Sequence, residues 1–134
     1  MAAMLRKRRT LVVAIAAVPL AGCQSALPPS KEPHAMYGLI GKIRTNPGQR
    51  DAFAAILLKA TRAMPGCLSY IVATDPTDPD ALWITETWDR QESHKASLGL
   101  PAVKEALAAG RPMIAGFGER FETIPIGGMG LPEA

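Results

Sequence analysis

Between residues 36 and 125 the spacing of apolar positions alternates between two residues and three to four, the periods of a strand and a helix. Residues 36–44 predict a first strand, with Tyr37, Leu39 and Ile43 on one face and Ile40 on the other. Apolar side chains on both faces predict a sheet that is covered on both sides. Asn46 and Pro47 suit the N-cap and first position of a helix. Ala52, Phe53, Ile56, Leu57 and Ala60 then recur at helical spacing as far as Met64, with Phe53 and Ile56 as core residues, and Pro65-Gly66 ends the helix. Residues 67–74 predict a second strand with Leu68, Tyr70 and Val72 on one face. The run 75–80, built of Asp, Pro and Thr, predicts a tight return into an antiparallel third strand over 81–88. On that strand Leu82, Ile84, Glu86 and Trp88 share a face. Asp89 and Glu92 stand three apart, as an N-cap and its capping box would, at the start of a helix that carries His94. After a break near Gly99 a short helix covers 101–109. The last strand is 117–124, with Phe117 and Phe121 on one side.

Strand, helix, strand, strand, helix, strand is the split β-α-β order of the ferredoxin-like fold, an α+β class with helices on one face of a four-stranded antiparallel sheet. Helices cover only one side of such a sheet, so the apolar positions on the other side need a cover. A second copy of the chain is the simplest one, which predicts a homodimer. Residues 36–125 make the domain, and 126–134, rich in glycine, make a loose tail.

A chain of 134 residues has room for one such domain. Its formal charge of +3 comes from the front: without Arg6, Lys7, Arg8 and Arg9 the balance is 11 basic against 12 acidic residues. No basic patch with interleaved aromatics remains, which argues against nucleic-acid binding. Those four cations precede an apolar run over 11–20, shorter than the roughly 20 residues that span a bilayer. Residues 1–23 therefore read as an export signal. Leu20-Ala21-Gly22-Cys23 resembles the lipobox of bacterial lipoproteins, in which cleavage precedes the cysteine and its sulfur is lipidated. Arg8-Arg9 also fits a twin-arginine signal, although an ordinary basic n-region is the stronger reading. The expected location is the cell envelope or periplasm, with Cys23 as the lipid anchor and residues 24–35 as a proline-bearing tether. Lipidation of Cys23 leaves Cys67 without a disulfide partner in the chain.

Chemistry concentrates where the third strand turns into a helix, because Glu86, Trp88 and His94 gather around one corner. Histidine as a residue type titrates near neutrality and is the natural acid/base of the three. Plainer roles exist for each: Trp88 as core, Glu86 capping the next helix or pairing with Arg120, His94 on a solvated face among Glu92, Ser93 and Lys95. Cys67 follows a Pro-Gly turn with nothing basic beside it and reads as a buried small residue, not a nucleophile. His34 falls in the tether. Two scattered histidines and lone carboxylates match no metal-ligand spacing, and no glycine-rich phosphate loop joins a strand to a helix.

In order and spacing, Pro65-Gly66-Cys67-Leu68-Ser69-Tyr70, Glu86-Thr87-Trp88, His94 and the last strand with Phe117 and Phe121 resemble the antibiotic-biosynthesis monooxygenase family, including its small quinol-monooxygenase branch. The resemblance spans residues 36–125. It implies a dimeric α/β-barrel of ferredoxin-like chains and, in enzymatic members, oxygenation of a quinol-like or phenolic aromatic by molecular oxygen with no metal, flavin or other cofactor. A deprotonated, electron-rich ring can itself react with oxygen, so the protein has to bind the ring, take a proton and steady the developing charge. On that basis His94 is the expected acid/base, Trp88 a wall or stacking surface, and Glu86 the group that orients His94 or the substrate hydroxyl. Tyr70 and Arg120 are expected as polar contacts to substrate. Two other functions compete. One is a non-catalytic dimeric envelope lipoprotein that holds a small apolar ligand. The other is haem binding and degradation, as in another branch of the superfamily. Against haem stand Gly41, where that branch carries an asparagine, and the lack of a histidine near residues 104–107.

Overall fold

The computed structural model describes residues 35–132; the expected export signal, the lipidation site and nearly all of the tether lie outside them. The elements are β1 (Tyr37–Thr45), α1 (Arg50–Ala60), β2 (Cys67–Thr74), β3 (Ala81–Trp88), α2 (Gln91–Ser97), α3 (Pro101–Gly110), a 3-10 turn (Arg111–Met113) and β4 (Ile114–Thr123). The strands lie in the order β2-β3-β1-β4 and every neighbouring pair is antiparallel. This is the ferredoxin-like arrangement that the order of elements implies.

The helices cover one face, where alternation along β1 and β3 places Tyr37, Leu39, Ile43, Leu82, Ile84 and Trp88. Two core clusters form there. Phe53 and Leu57 of α1 pack on Leu82 and Ile84, while Val103 of α3 packs with Tyr37, Met64 and Trp88. Tyr70 of β2 touches both clusters. Phe53 and Leu57 are the buried stripe of α1, whereas Ile56 is only partly covered.

Both helix starts differ from the sequence expectation, for backbone reasons. Gly48 has φ +76, a left-handed conformation that stops the helix from running back to Asn46. Its N–H donates to Asp80 Oδ1 at 2.8 Å, and α1 begins after Gln49 without a side-chain cap. Asn46 is thus not a cap; its Nδ2 donates to the Pro112 carbonyl at 2.9 Å and ties the loop to the 3-10 turn. At the other end Thr61 closes α1 early, both its N–H and its hydroxyl reaching the Leu57 carbonyl. For α2 the N-cap position is Arg90, again with no side-chain cap bond. Asp89 stands one residue too early to cap it. Its N–H donates to the Gly66 carbonyl at 2.9 Å, and the Ser93 hydroxyl beside it holds its carboxyl below the usual range.

Three bulges interrupt the sheet, one of them at Ala115 near the start of β4, and the other two correct the predicted faces. Cys67 pairs with Trp88 but Ser69 pairs with Thr87, so β2 carries an extra residue at Leu68. Cys67, not Leu68, therefore joins Tyr70 and Val72 on the helix side and packs into the core. On β4, Arg120 pairs with Gly41 while Phe117 pairs with Ile43, three steps against two. The extra residue puts Phe117 on the helix side and leaves Phe121, opposite Ile40, on the other face.

Away from the helices one charged cluster organises the β2–β3 return. Asp75 Oδ1 accepts from the Thr77 N–H and hydroxyl at 2.8 Å each and from the Asp78 N–H at 3.0 Å. Its Oδ2 accepts from Trp83 Nε1 at 2.8 Å and Lys42 Nζ at 2.7 Å. Lys42 and Trp83 are register partners on β1 and β3, and the ammonium also lies 5.5 Å from the indole centroid. Among the described residues no helix is long and apolar enough to cross a membrane.

Candidate functional site

Between the helix-facing side of the sheet and helices α1, α2 and α3 lies a cavity of about 370 Å³. Its walls are mostly aliphatic and aromatic, from Leu39 and Ile43 on β1, Phe53 and Leu57 on α1, and Val103 and Leu107 on α3. Glu86, Trp88 and His94 all reach it, as do Tyr70, Arg120 and Phe117.

The three corner residues are held in a fixed relation. Glu86 and Trp88 stand two apart on β3 and so project to the same side. The indole Nε1–H donates to Glu86 Oε2 at 2.8 Å, and Trp88 itself is only 1% exposed. It is a wall with its one polar atom aimed at the carboxylate. Glu86 Oε2 also faces His94 Nε2 at 3.7 Å, with the two side chains 12% and 16% exposed. The imidazole lies edge-on to Trp88, with ring centroids 5.5 Å apart at 73°. On its other side is Tyr37, 5.4 Å away and tilted by 41°. In the sequence Tyr37 is legible only as a strand residue. Its pairing with Trp88 across β1 and β3 is what brings it here, and that pairing is implied once the two strands are taken as antiparallel.

Burial pushes the Glu86 carboxyl above the ordinary glutamate value; the indole N–H, His94 and Arg120 pull the other way without cancelling it. Burial likewise raises the Tyr70 hydroxyl, and the neighbouring Glu86 charge adds to it. The Cys67 thiol is raised by burial and then by Glu86, which keeps it protonated and poorly nucleophilic. Arg120 does not pair with Glu86. Its Nη2 lies 3.0 Å from Glu122 Oε1, with both side chains largely in solvent. The arrangement can do three things: accept an apolar ring, receive a proton on an imidazole beside a carboxylate, and bias charge through Arg120 at the β4 wall.

Among the described residues no three His, Cys, Asp or Glu side chains come together as metal ligands. A second, larger and shallower depression of about 590 Å³ follows the end of α1, lined by Arg62, Met64, Pro65, Cys67 and Ser69. None of the corner residues borders it.

Comparison with known proteins agrees with this architecture. The family model for antibiotic biosynthesis monooxygenase matches residues 36–109. A candidate antibiotic biosynthesis monooxygenase from Chloroflexus aurantiacus J-10-fl is 63% identical, and its crystal structure superposes with a TM-score of 0.71, covering 73% of this chain and 100% of its own. A candidate monooxygenase of the same description from Caulobacter crescentus CB15 is 21% identical, with a TM-score of 0.64 over 71% of this chain and 93% of its own. A Pseudomonas aeruginosa protein is 17% identical, with a TM-score of 0.62 over 72% of this chain and 99% of its own. At such identities the last two show the fold alone. Comparison with curated proteins finds no match. From the family match over more than half the chain, and from the likeness to the Chloroflexus protein, the chain belongs to the antibiotic biosynthesis monooxygenase family.

Proposed function

We propose that this protein is a cofactor-independent monooxygenase that oxidises a quinol-like or phenolic aromatic with molecular oxygen. The observation that carries the reading is the convergence of Glu86, Trp88 and His94 on one apolar cavity. A quinol hydroxyl directed at the corner gives its proton to His94 Nε2. The resulting imidazolium is steadied by the Glu86 carboxylate 3.7 Å away. The indole N–H holds that carboxylate in place. The quinolate, now electron-rich, reacts with oxygen at a ring carbon. The balance closes without an outside reductant: one quinol and one O₂ give one hydroxylated quinone and one water. Four electrons leave the ring, one oxygen atom is kept, and the other takes two protons. Tyr70 and Arg120 contact the substrate from β2 and β4, and the walls exclude water from the reacting anion.

The protein works as a homodimer in this reading. Ile71, Thr85, Ile40 and Phe121 are register partners in one row across all four strands, on the face away from the helices. Ile71 and Phe121 are each 54% exposed in the single chain. A second sheet laid on this row would bury it. Sedimentation equilibrium is expected to show a dimer, and Phe121→Lys a monomer. Export and a lipid at Cys23 complete the proposal: Cys23→Ser is expected to move the protein from the membrane fraction to the soluble one.

Oxygen uptake with menadiol tests the chemistry. Wild-type protein is expected to consume oxygen, and His94→Ala to lose about a hundredfold or more in rate with its fold intact. Thermal protection by menadiol with no oxygen uptake would favour a ligand carrier, and undiminished uptake in His94→Ala would remove the imidazole from the mechanism.

A further inference from the structure

Glycine in the middle of a strand costs stability, so each one calls for a reason. Two of the four strand glycines here have one. A methyl at Gly38 would sit against Thr123 Oγ1 and the Pro125 ring, and one at Gly118 would press on the Lys42 side chain at 3.1 Å. Gly116, near the start of the outer strand β4 and away from the cavity lining, and Gly41, on an inner strand, have neither excuse. Of the two it is Gly41 that bears on the site. It occupies the centre of β1, its φ is not positive, and a Cβ built on it meets nothing within 4 Å. The β4 bulge does not require it either, because the extra residue lies on the other strand.

Gly41 does line the cavity. It lies between Ile84 on β3 and Arg120 on β4, its register partners, and the missing side chain leaves bare backbone as a patch of cavity floor. Backbone left bare without a steric demand is the mark of a place that a ligand approaches closely. Its distance from the chemical corner gives the ligand a size. Glu86 is level with Leu39, and Gly41 is two residues further along β1, about 7 Å at the rise of a strand. A ring whose hydroxyl meets Glu86 and His94 lies over Leu39, and a second ring fused to it lies over Gly41.

The geometry points to Gly41 as the residue that sets substrate size, by leaving room on the sheet for the second ring of a planar, fused two-ring phenol or quinol. Single-ring phenols occupy only the corner and are indifferent to position 41. The inference rests on the cavity being the ligand site. It does not depend on whether turnover follows.

Binding of 1-naphthol and of phenol to the full-length protein, followed by quenching of tryptophan fluorescence, tests it in wild type, Gly41→Ala and Gly41→Leu. Gly41→Ala is expected to fold with a melting temperature equal to or above that of wild type, since its added Cβ meets nothing within 4 Å, and Gly41→Leu to keep a cooperative melt. Naphthol affinity is expected to fall in steps, by about tenfold or more for Gly41→Leu, while phenol affinity changes by less than about twofold. Naphthol binding unchanged by Leu at 41 overturns the inference, as does a marked fall in melting temperature for Gly41→Ala, which would make the bare position a requirement of the fold. Naphthol binding that responds to position 41 but is never followed by oxygen uptake leaves the inference standing and removes the oxygenase reading alone.

Discussion

Asp75 and Glu86 are both carboxylates held by a tryptophan N–H beside the same sheet, one on each face, and they have opposite electrostatic histories. Asp75 takes three bonds from its own turn, the Trp83 N–H and the Lys42 ammonium. Lys42 is the main reason its carboxyl is held well below the usual range. Glu86 takes the Trp88 N–H and faces an imidazole beyond hydrogen-bond reach, so burial dominates and its carboxyl is pushed up. A saturated carboxylate has no capacity left for a substrate and serves the fold. An under-satisfied one in an apolar cavity is costly to ionise and keeps lone pairs for chemistry.

The sharpest way to break this contrast is to neutralise each carboxylate in turn. Glu86→Gln is expected to lower oxygen uptake with menadiol by about a hundredfold or more, because the His94 imidazolium loses its counter-charge. Asp75→Asn is expected to leave the same rate within about twofold. Equal losses from both would mean that the two sites do not divide labour as proposed.

Stability reverses the order. Asp75→Ala strips partners from Lys42, Trp83 and two turn N–H groups, and its melting temperature is expected to fall by roughly 10 °C at pH 7. Because the Asp75 pKa is depressed in the fold, its contribution is present above the ordinary aspartate range and fades as the pH falls through the folded value. Glu86 has the opposite sign. A raised carboxyl stabilises the fold at low pH and loses that contribution as the pH climbs through its folded value. Glu86→Gln is therefore expected to melt higher than wild type at pH 7, the difference closing as the pH drops below about 4.5. Thermal melts from pH 2 to 8 check both signs, Asp75 at the acid end and Glu86 above it.

The smallest effect separates the indole from its N–H. Trp88→Phe keeps an aromatic wall but withdraws the donor that helps to ionise Glu86. The acid limb of the pH–rate profile is expected to move to higher pH, with a loss of maximal rate well below that of Glu86→Gln. An unmoved limb would show that the indole only fills space.

The bounds of β2 and β3 were readable from the chain because alternation and an Asp-Pro return leave little choice of register. That also placed Glu86, Trp88 and Tyr70 on one face. The bulges were not readable. Whether Leu68 or Cys67 turns inward, and whether Phe117 and Phe121 part company, depends on how many residues the partner strand offers, and no local pattern records that. The caps at Asn46 and Asp89 failed for a similar reason: a side-chain oxygen caps only from the right backbone position, and Gly48 and the Gly66 contact moved both starts. Tyr37 was visible as a residue but not as a neighbour of His94, since that contact joins the first strand to the second helix.

The bulge after Phe117 on β4 has a consequence for how the protein behaves in bulk. β4 is an outer strand, and it carries Phe117 at 76% exposure with Ile124 and Ile126 beyond it. A straight, sticky margin of that kind invites other chains to add on as further strands, the first step toward fibrils. The residue inserted after Phe117 kinks that margin and spoils it as a template. Removing Glu119 would take out this kink and leave the strand straight from Gly116 onward, and the price would be paid in solubility before any loss of fold.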